Sequence, residues 1–577
     1  MDKERKTVCW WHIALLIMTL LAAAVKIFIG FDRDEAYIVV MGVRLLEGDR
    51  LFDAMWELHM TSAWPAFLGL YLFQAVTGSL EGAVIFLRIV STVIQFAAAW
   101  LAYRILRRYE SRNTAVLAGV FVANFLPRAT QNLEYGLLEM LFVLTAMLLI
   151  YDEWMKMGQG EKVCLWKIVG AGISYSLGVL AYPTILISFP VILIAMFLLQ
   201  KKETRRLCLP LLFCAVCAVC AVIFLGYLLS YLTVPELLSN LQGILADGTH
   251  TDTVKTATYF VQLLELCKRT ALITLGALLC TLCFYKWEKR RELFWYCLLL
   301  SGAVIFIGFN VTGIRPSGAI GLQVRYLIAA ILAAVFAIKM REKMITGLFL
   351  IPGIFLYAGA MIGSNMGFEE NASFLYLTVL AAILLMGRYA YNASDACNAS
   401  DARNACVSEI FRRIGTFCIA AFLCSIIFGK GYLVRITGTA PANIAQERTR
   451  MQGGILKGVY VYPEEADRYA EKEREIKAYS DAEDVVLYLG ADAICNTYAE
   501  GAFTSATCIS TPAYNEEWVL YYENESHPEP TVVFLDRDLM ESFADFQGTE
   551  FGRYFAERYG ITEEDVIEED AFLVFRL

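Results

Sequence analysis

The 577-residue chain has only four histidines. None of them joins cysteines at a spacing that ligates zinc, so a structural zinc site is excluded. Positive charge is in deficit. A formal net charge of −9 argues against a nucleic-acid partner. The sixteen cysteines form no disulfide framework. Most stand inside apolar runs, as in Cys214-Ala-Val-Cys217-Ala-Val-Cys220, where a thiol is a small hydrophobe. Cys495 and Cys508 lie outside such runs, and whether they pair depends on a Cα separation that sequence does not give. Charge is scarce within the long apolar segments, and no helical pattern repeats along the chain.

Apolar residues, in contrast, are abundant. They make up 58% of the chain, with a mean hydropathy of +0.52, against about 45–50% in soluble domains. The reading is a polytopic α-helical membrane protein. The first apolar segment, Trp10–Gly30, has the length of about 20 residues that crosses a bilayer once. It lacks the small-residue cleavage site of a signal peptide. Lys3, Arg5 and Lys6 precede it and place the N-terminus in the cytoplasm. Basic clusters then alternate with apolar segments: Arg104, Arg107 and Arg108; Lys201, Lys202, Arg205 and Arg206; Lys289, Arg290 and Arg291; Lys339, Arg341 and Lys343.

Assigned to the inner face, these clusters order about thirteen spans. Helices are expected at Ala83–Tyr103, Thr114–Leu126, Gly136–Tyr151, Ile168–Leu199 as a hairpin, Leu207–Tyr231, Thr270–Tyr285, Leu293–Phe309, from Arg325 to Lys339, Ile345–Gly363, Phe374–Met386 and Ile414–Phe428. Ala36–Leu46 reads as a helix on the outer surface, and Ala66–Val76 as an interfacial or re-entrant segment. Thr233–Arg269 reads as a polar outer loop. The near-repeat Asn392–Arg403 is assigned to an inner loop, without chemistry. From Gly431 to Leu577 the character is soluble. Strands at Val485–Leu489, Thr531–Leu535 and Phe572–Phe575 alternate with helices, which predicts a small extracytoplasmic α/β domain. Residues 1–430, with an outer loop at 31–82, form the membrane domain.

The chemistry-bearing stretch is Phe31-Asp32-Arg33-Asp34-Glu35-Ala36-Tyr37. It emerges from the first span at the outer membrane surface. Three carboxylates crowded against a bilayer repel one another and lose hydration, which suits acid/base work. Glu139, one turn into an apolar helix, is costly there unless paired or functional. Glu134, in the loop before it, is the competing carboxylate.

The order and sidedness of Asp34-Glu35-Ala36-Tyr37, Trp56–Pro65, the helix entry at Glu139–Tyr151, the Tyr182-Pro183-Thr184 turn and Arg325-Tyr326 resemble the GT-C superfamily of membrane glycosyltransferases. The similarity is greatest to glycosyltransferase family 39, the protein O-mannosyltransferase and lipid A aminoarabinose transferase branch. It covers residues 1 to about 430 and implies about thirteen spans. Two departures stand out. The turn at Tyr182 has no lysine, and the proline pair of the first outer loop is reduced to Pro65.

The resemblance implies transfer of a sugar from a polyprenyl-phosphate donor to an acceptor hydroxyl on a glycan, lipid or protein, outside the cell membrane. Asp34 is then the general base, with Glu35 and Glu139 as further catalytic carboxylates. Arg325 and Lys26 are the donor-phosphate ligands. His59, Tyr37, Glu134 and Tyr182 are candidate substrate contacts. No nucleotide or organic cofactor is implied. A divalent metal stays open, because Asp32 and Asp34 form an Asp-x-Asp pair. The C-terminal domain, lacking a catalytic constellation, reads as an accessory for acceptor binding or packing. The alternative class is a transporter or flippase for a lipid-linked or cell-envelope substrate. Such proteins place ionisable residues at mid-membrane and commonly carry repeats.

Overall fold

The computed structural model describes residues 10–127, 131–200, 208–245, 259–262, 264, 324–364, 370–397, parts of 419–434, 442–443, 446–510, 515–524 and 527–577. The helices in order are α1 (Trp10–Phe28), α2 (Arg33–Glu47), α3 (Trp64–Thr77), α4 (Ala83–Leu106), α5 (Arg112–Asn124), α6 (Tyr135–Gln159), α7 (Leu165–Ala181), α8 (Ser188–Leu199), α9 (Leu209–Leu228), α10 (Val234–Leu245), α11 (Val324–Met340), α12 (Lys343–Ile362) and α13 (Tyr376–Cys397). Among the described residues six helical stretches are long and apolar enough to cross a membrane: α1, α4, α6, α9, α12 and Asn371–Tyr389, which opens α13. The expected spans Thr270–Tyr285 and Leu293–Phe309 lie outside the described residues.

Local chemistry sets the helix ends. Asp32 caps α2 by accepting from the Asp34 amide. Gly48, at φ +109, ends the helix in the left-handed region where a side chain is disfavoured. Pro183 opens a short 3-10 turn, Pro183–Ile187, between α7 and α8. In α12 the residues Thr346–Leu350 form a π turn just before Pro352. The wider turn accommodates a proline that supplies no amide hydrogen.

Three elements differ from expectation. Helix α6 runs past Tyr151 to Gln159. Asp152 and Glu153 look like a terminus in sequence, yet both are buried and ion-paired: Asp152 with Arg108 at 3.1 Å, Glu153 with Lys156 at 2.7 Å and Lys167 at 3.2 Å. Helix α10 replaces the first third of the expected polar loop. Its start is a Thr233/Glu236 capping box, in which the Glu236 carboxylate accepts from the Thr233 amide at 2.7 Å and the Glu236 amide donates to Thr233 Oγ1 at 3.4 Å. Helix α13 continues through the first copy of the near-repeat to Cys397.

The C-terminal part adds strands β1 (Leu433–Val434), β2 (Ala442–Asn443), β3 (Thr449–Arg450) and β4 (Tyr460–Val461), then helix α14 (Pro463–Tyr479). Strands β5 (Val485–Leu489), β6 (Ala502–Phe503), β7 (Val532–Asp536), β8 (Ile567–Glu568) and β9 (Phe572–Arg576) form a five-stranded sheet in the order β6-β5-β7-β9-β8. Helices α15 (Asn515–Glu523), α16 (Phe543–Gly548) and α17 (Glu550–Tyr559) accompany it. Strands β6, β5 and β7 are parallel, and β9 runs antiparallel to β7 and β8. Cys495 and Cys508 are buried free thiols.

Two apolar cores organise the chain. One joins the long helices. The second unites α2, α3 and the start of α4 with the C-terminal sheet. Residues 31–82 and the tail therefore share one interior, although some 350 residues of sequence separate them. Polar contacts stitch the seam. Arg44 on α2 donates to the Ala54 carbonyl at 2.6 Å and the Ser505 carbonyl at 2.9 Å, and pairs with Asp49 at 2.6 Å. Glu57 accepts from the Cys508 amide at 2.6 Å and from the Tyr37 hydroxyl. The Trp56 amide donates to the Ala506 carbonyl at 2.9 Å. Burial works against charge at Arg44, but Asp49, Tyr521 and Glu57 outweigh it and hold its pKa above the ordinary range.

A chain cut after Gly431 should therefore fail to retain the outer loop's fold. Its thermal unfolding midpoint in detergent should fall well below that of the full chain; an unchanged midpoint would show the seam to be dispensable. His527 gives the seam a pH signature. Its ring stacks on Tyr521 at 3.8 Å. Burial, then the nearby Arg44, lowers its pKa to about 4. The unfolded chain takes up that proton near the ordinary value of about 6.5. Stability should therefore fall as pH drops from about 6.5 towards 4. His527→Phe, which keeps the stack, should remove that component of the midpoint-versus-pH curve; superimposable curves would sink the assignment.

Candidate active site

The site begins at the junction of α1 and α2. Glu35 is fully buried and meets Arg88 of α4 side-on, with Nε and Nη2 each 2.6 Å from a carboxylate oxygen. Arg88 spends its other donors on the carbonyls of Ile27, at 3.0 Å, and Gly30, at 2.5 Å. The Asn132 side chain adds a third hydrogen bond to Glu35 at 2.9 Å. An Arg–carboxylate fork of this kind tolerates burial because both charges and most donors are satisfied. Glu35 is thus a brace between α2, α4, the end of α1 and the loop before α6. Sequence reading cast it as a catalytic carboxylate; in the structure its oxygens are held by Arg88 and Asn132.

Asp34, its neighbour, is half-buried at the first turn of α2, while Asp32 is buried and directs Oδ1 to the Asp34 amide at 3.0 Å. Lys26, buried near the end of α1, interacts electrostatically with Arg88, Glu35 and Asp32. Lys26, one candidate phosphate ligand, therefore shares a charge cluster with Asp32 and Glu35, the residues on either side of Arg33-Asp34.

From Asn132 the loop leads to a second group. Glu134 caps α6 by accepting from the Leu137 amide at 3.2 Å. Tyr135 stacks on His59 with ring centroids 3.9 Å apart, and both rings lie near Tyr182, at 5.7 and 5.1 Å. Phe374 stands 5.1 Å beyond Tyr182. The Thr61 hydroxyl donates to the Leu180 carbonyl and holds the His59 loop against α7. Further along α6, buried Glu139 accepts from the Tyr376 hydroxyl at 3.1 Å. His59 and Tyr182 thus meet at Tyr135, the first residue of α6, which follows Glu134 at the cap and precedes Glu139 by one turn. Tyr37 does not join it, since its hydroxyl is committed to Glu57 at the seam.

Arg325 is buried in the first turn of α11, with its guanidinium 6.0 Å from the Tyr326 ring centroid. It rests against Gly429: a Cβ there would lie 2.9 Å from Nη1, so the glycine admits the side chain. Two residues that sequence reading passed over belong here. Arg88 went unremarked inside an apolar helix, where an ionisable group is itself a signal. Lys430, buried at the end of the apolar helix Phe422–Gly431, was treated as a chain boundary.

The carboxylates that a divalent metal would use have partners within the chain. In the Asp-x-Asp pair, Asp32 Oδ1 is already engaged by a backbone amide. Among the described residues two acidic groups have the compactness of a cage. In one, Lys472 places its ammonium 2.9, 2.7 and 3.0 Å from Asp492, Asp536 and Asp538, and fills the centre. In the other, Glu475 accepts from the Ala571 amide at 3.1–3.2 Å, and Glu471 accepts from Arg474 at 3.3 Å. No step is routed through a metal.

No protein-family model and no curated protein matches the chain. Solved structures do. The oligosaccharyltransferase AglB from Archaeoglobus fulgidus, in complex with an inhibitory peptide and a dolichol-phosphate, is 15% identical over 95% of this chain and 72% of its own, at a TM-score of 0.48. The Archaeoglobus fulgidus oligosaccharyltransferase in complex with Zn and sulfate is 14% identical over 94% and 70%, at 0.47. ArnT from Cupriavidus metallidurans, bound to undecaprenyl phosphate, is 12% identical over 99% and 98%, at 0.45. This is a likeness at low identity and at TM-scores under 0.5. No residue role is taken from it.

Breaking the Arg88–Glu35 pair on one side should be costly. Arg88→Met leaves Glu35 buried without its cation and should destabilise by about 3–5 kcal/mol. The double variant Arg88→Met/Glu35→Met should recover part of that loss. Denaturant unfolding in detergent reads both; equal losses in the single and double variants would mean that the pair is not coupled.

Proposed function

We propose that this chain is a membrane glycosyltransferase that moves a sugar from a polyprenyl-phosphate donor to an acceptor hydroxyl at the outer face of the membrane. The observation that carries the reading is the charge cluster at the α1–α2 junction, where buried Lys26 feels the charges of Asp32 and the braced Glu35, and half-buried Asp34 stands between those two in the chain. The orientation follows from the basic inner loops, which leave that junction outside.

Such a transfer needs a base for the acceptor and a counter-charge for the leaving group. Asp34 takes the hydroxyl proton as the acceptor oxygen attacks the anomeric carbon from the face opposite the phosphate. The bond between that carbon and the phosphate oxygen breaks, and the polyprenyl phosphate leaves with the electron pair. Lys26 and Arg325 offset its charge, the guanidinium through its fork. Glu35 keeps α2 in register through Arg88, so that Asp34 meets the acceptor at a fixed height. His59, Tyr135 and Tyr182 offer aromatic faces to the sugar or the acceptor. Glu139, held by Tyr376, and Glu134, at the α6 cap, are the remaining carboxylates to test. Acceptors of the glycan, lipid and protein classes all supply the hydroxyl that this chemistry requires.

Asp34→Asn keeps size and hydrogen bonding but cannot accept the proton. It should lower turnover by about 10²–10⁴-fold while donor binding survives. Arg325→Ala should weaken donor binding and slow transfer together, with Arg325→Lys a partial rescue. The assay is transfer from a polyprenyl-phosphate sugar in liposomes, with donor binding measured separately. Wild-type turnover in Asp34→Asn, Glu35→Gln and Glu139→Gln alike would remove the glycosyltransferase reading.

A further inference from the structure

Residues 429–431 thread between four helices. Gly429 lies against the Arg325 guanidinium of α11, and Gly431 against Ala22 of α1, where a Cβ would come within 3.1 Å. Between them Lys430 is 4% exposed. Its ammonium donates to Gln95 Oε1 of α4 at 3.2 Å and to the Ala123 carbonyl of α5 at 3.0 Å. Both acceptors are neutral. The charged group whose field it feels is Lys26, a second cation.

A lysine sealed from water with neutral partners and a like-charged neighbour is an expensive arrangement. The Ala123 carbonyl, in the last turn of α5, offsets part of the cost through the negative end of that helix. It does not account for the convergence. One short segment brings Lys430 beside Lys26 and lays its own Gly429 under Arg325, so three buried cations from three parts of the chain gather about one strip of backbone. An anion would offset part of the charge of such a group, to which Asp32 and Glu35 contribute beside Lys26.

Building on the donor reading under Proposed function, we propose that Lys430 is a third ligand of the donor phosphate and selects for a phosphate-bearing lipid. The ligand chemistry is a phosphate monoester or diester. Its source is either a lipid headgroup or free phosphate.

The test uses the full chain in nanodiscs and measures the binding of polyprenyl phosphate, of the uncharged polyprenol, and of inorganic phosphate as competitor. Wild type should prefer polyprenyl phosphate to polyprenol. Lys430→Met and the hydrogen-bonding Lys430→Gln should each lose about 10–100-fold of that preference, the worth of a hydrogen bond to a charged group. Lys430→Arg should keep part of it. Affinity for polyprenol should not change, whereas a merely structural lysine would move both ligands together or neither. Competition by inorganic phosphate in wild type but not in Lys430→Met would extend the seat to a soluble source; no competition in either, with the lipid preference lost, would confine it to the headgroup. Wild-type preference in both Lys430→Met and Lys430→Gln, or a parallel loss for phosphate and alcohol, overturns the proposal. Transfer assays separate the two readings. A wild type that prefers the phosphate lipid but moves no sugar leaves Lys430's role standing and ends the glycosyltransferase reading. A wild type that transfers normally, beside Lys430 variants of unchanged preference, ends the role of Lys430 alone.

Discussion

The geometry around the candidate site depends on one buried ion pair. Arg88 is fixed by its backbone within an apolar helix, and its guanidinium has no route to water. Glu35 is its counter-charge, and the Ile27 and Gly30 carbonyls take its remaining donors. Neither charge tolerates burial alone, because desolvation costs several kcal/mol per ion and only close, well-aligned partners return it. The start of α2 must therefore dock on α4, the end of α1 must bend so that Gly30 presents its carbonyl, and Asn132 must close the third side. The height of Asp34 over the membrane-spanning helices follows from this docking.

A second constraint comes from the other end of the chain. The faces of α2 and α3 that turn away from the spanning helices are apolar, and on an isolated outer loop they would meet water. The C-terminal sheet and its helices cover them in a shared core. Arg44, Glu57 and Trp56 place polar contacts along the seam, so this docking is specific as well as hydrophobic. The tail is thus bound to the same helix that presents Asp34.

Much of this was legible in the sequence, and the parts that were not have physical reasons. Hydrophobic length found α1, α4, α5 and α9 to within a few residues, and the alternation of strands and helices found β5, β7 and β9, the three central strands of the tail sheet. Asp34, Glu134, Glu139, Lys26 and Arg325 were singled out because charge next to apolar sequence is conspicuous. What sequence cannot display is pairing. Asp152 and Glu153 looked like a helix terminus because their partners, Arg108 and Lys167, are remote in the chain. Glu35 looked reactive because Arg88 is 53 residues away. The α10 start carried its signal, Thr233 followed by Glu236, but in a segment whose polarity suggested a loop. Lys430 was hidden by position, since a lysine at the end of an apolar run ordinarily snorkels to water.

The two cores also divide the charges of the site. Asp34 rises from α2, whose apolar face belongs to the core shared with the tail, whereas Tyr326, beside Arg325, and Ala22, against the Lys430 segment, belong to the core of the long helices. Opposite charges drawn from one rigid element would cancel by pairing directly. Here the principal fork joining the halves is taken by Arg88 and Glu35, while Lys26 still feels the Glu35 and Asp32 charges. Asp32 is likewise turned toward the Asp34 amide. The carboxylates of α2 and the cations of α1, α11 and the Lys430 segment are thus carried by different elements, which the two cores hold in place.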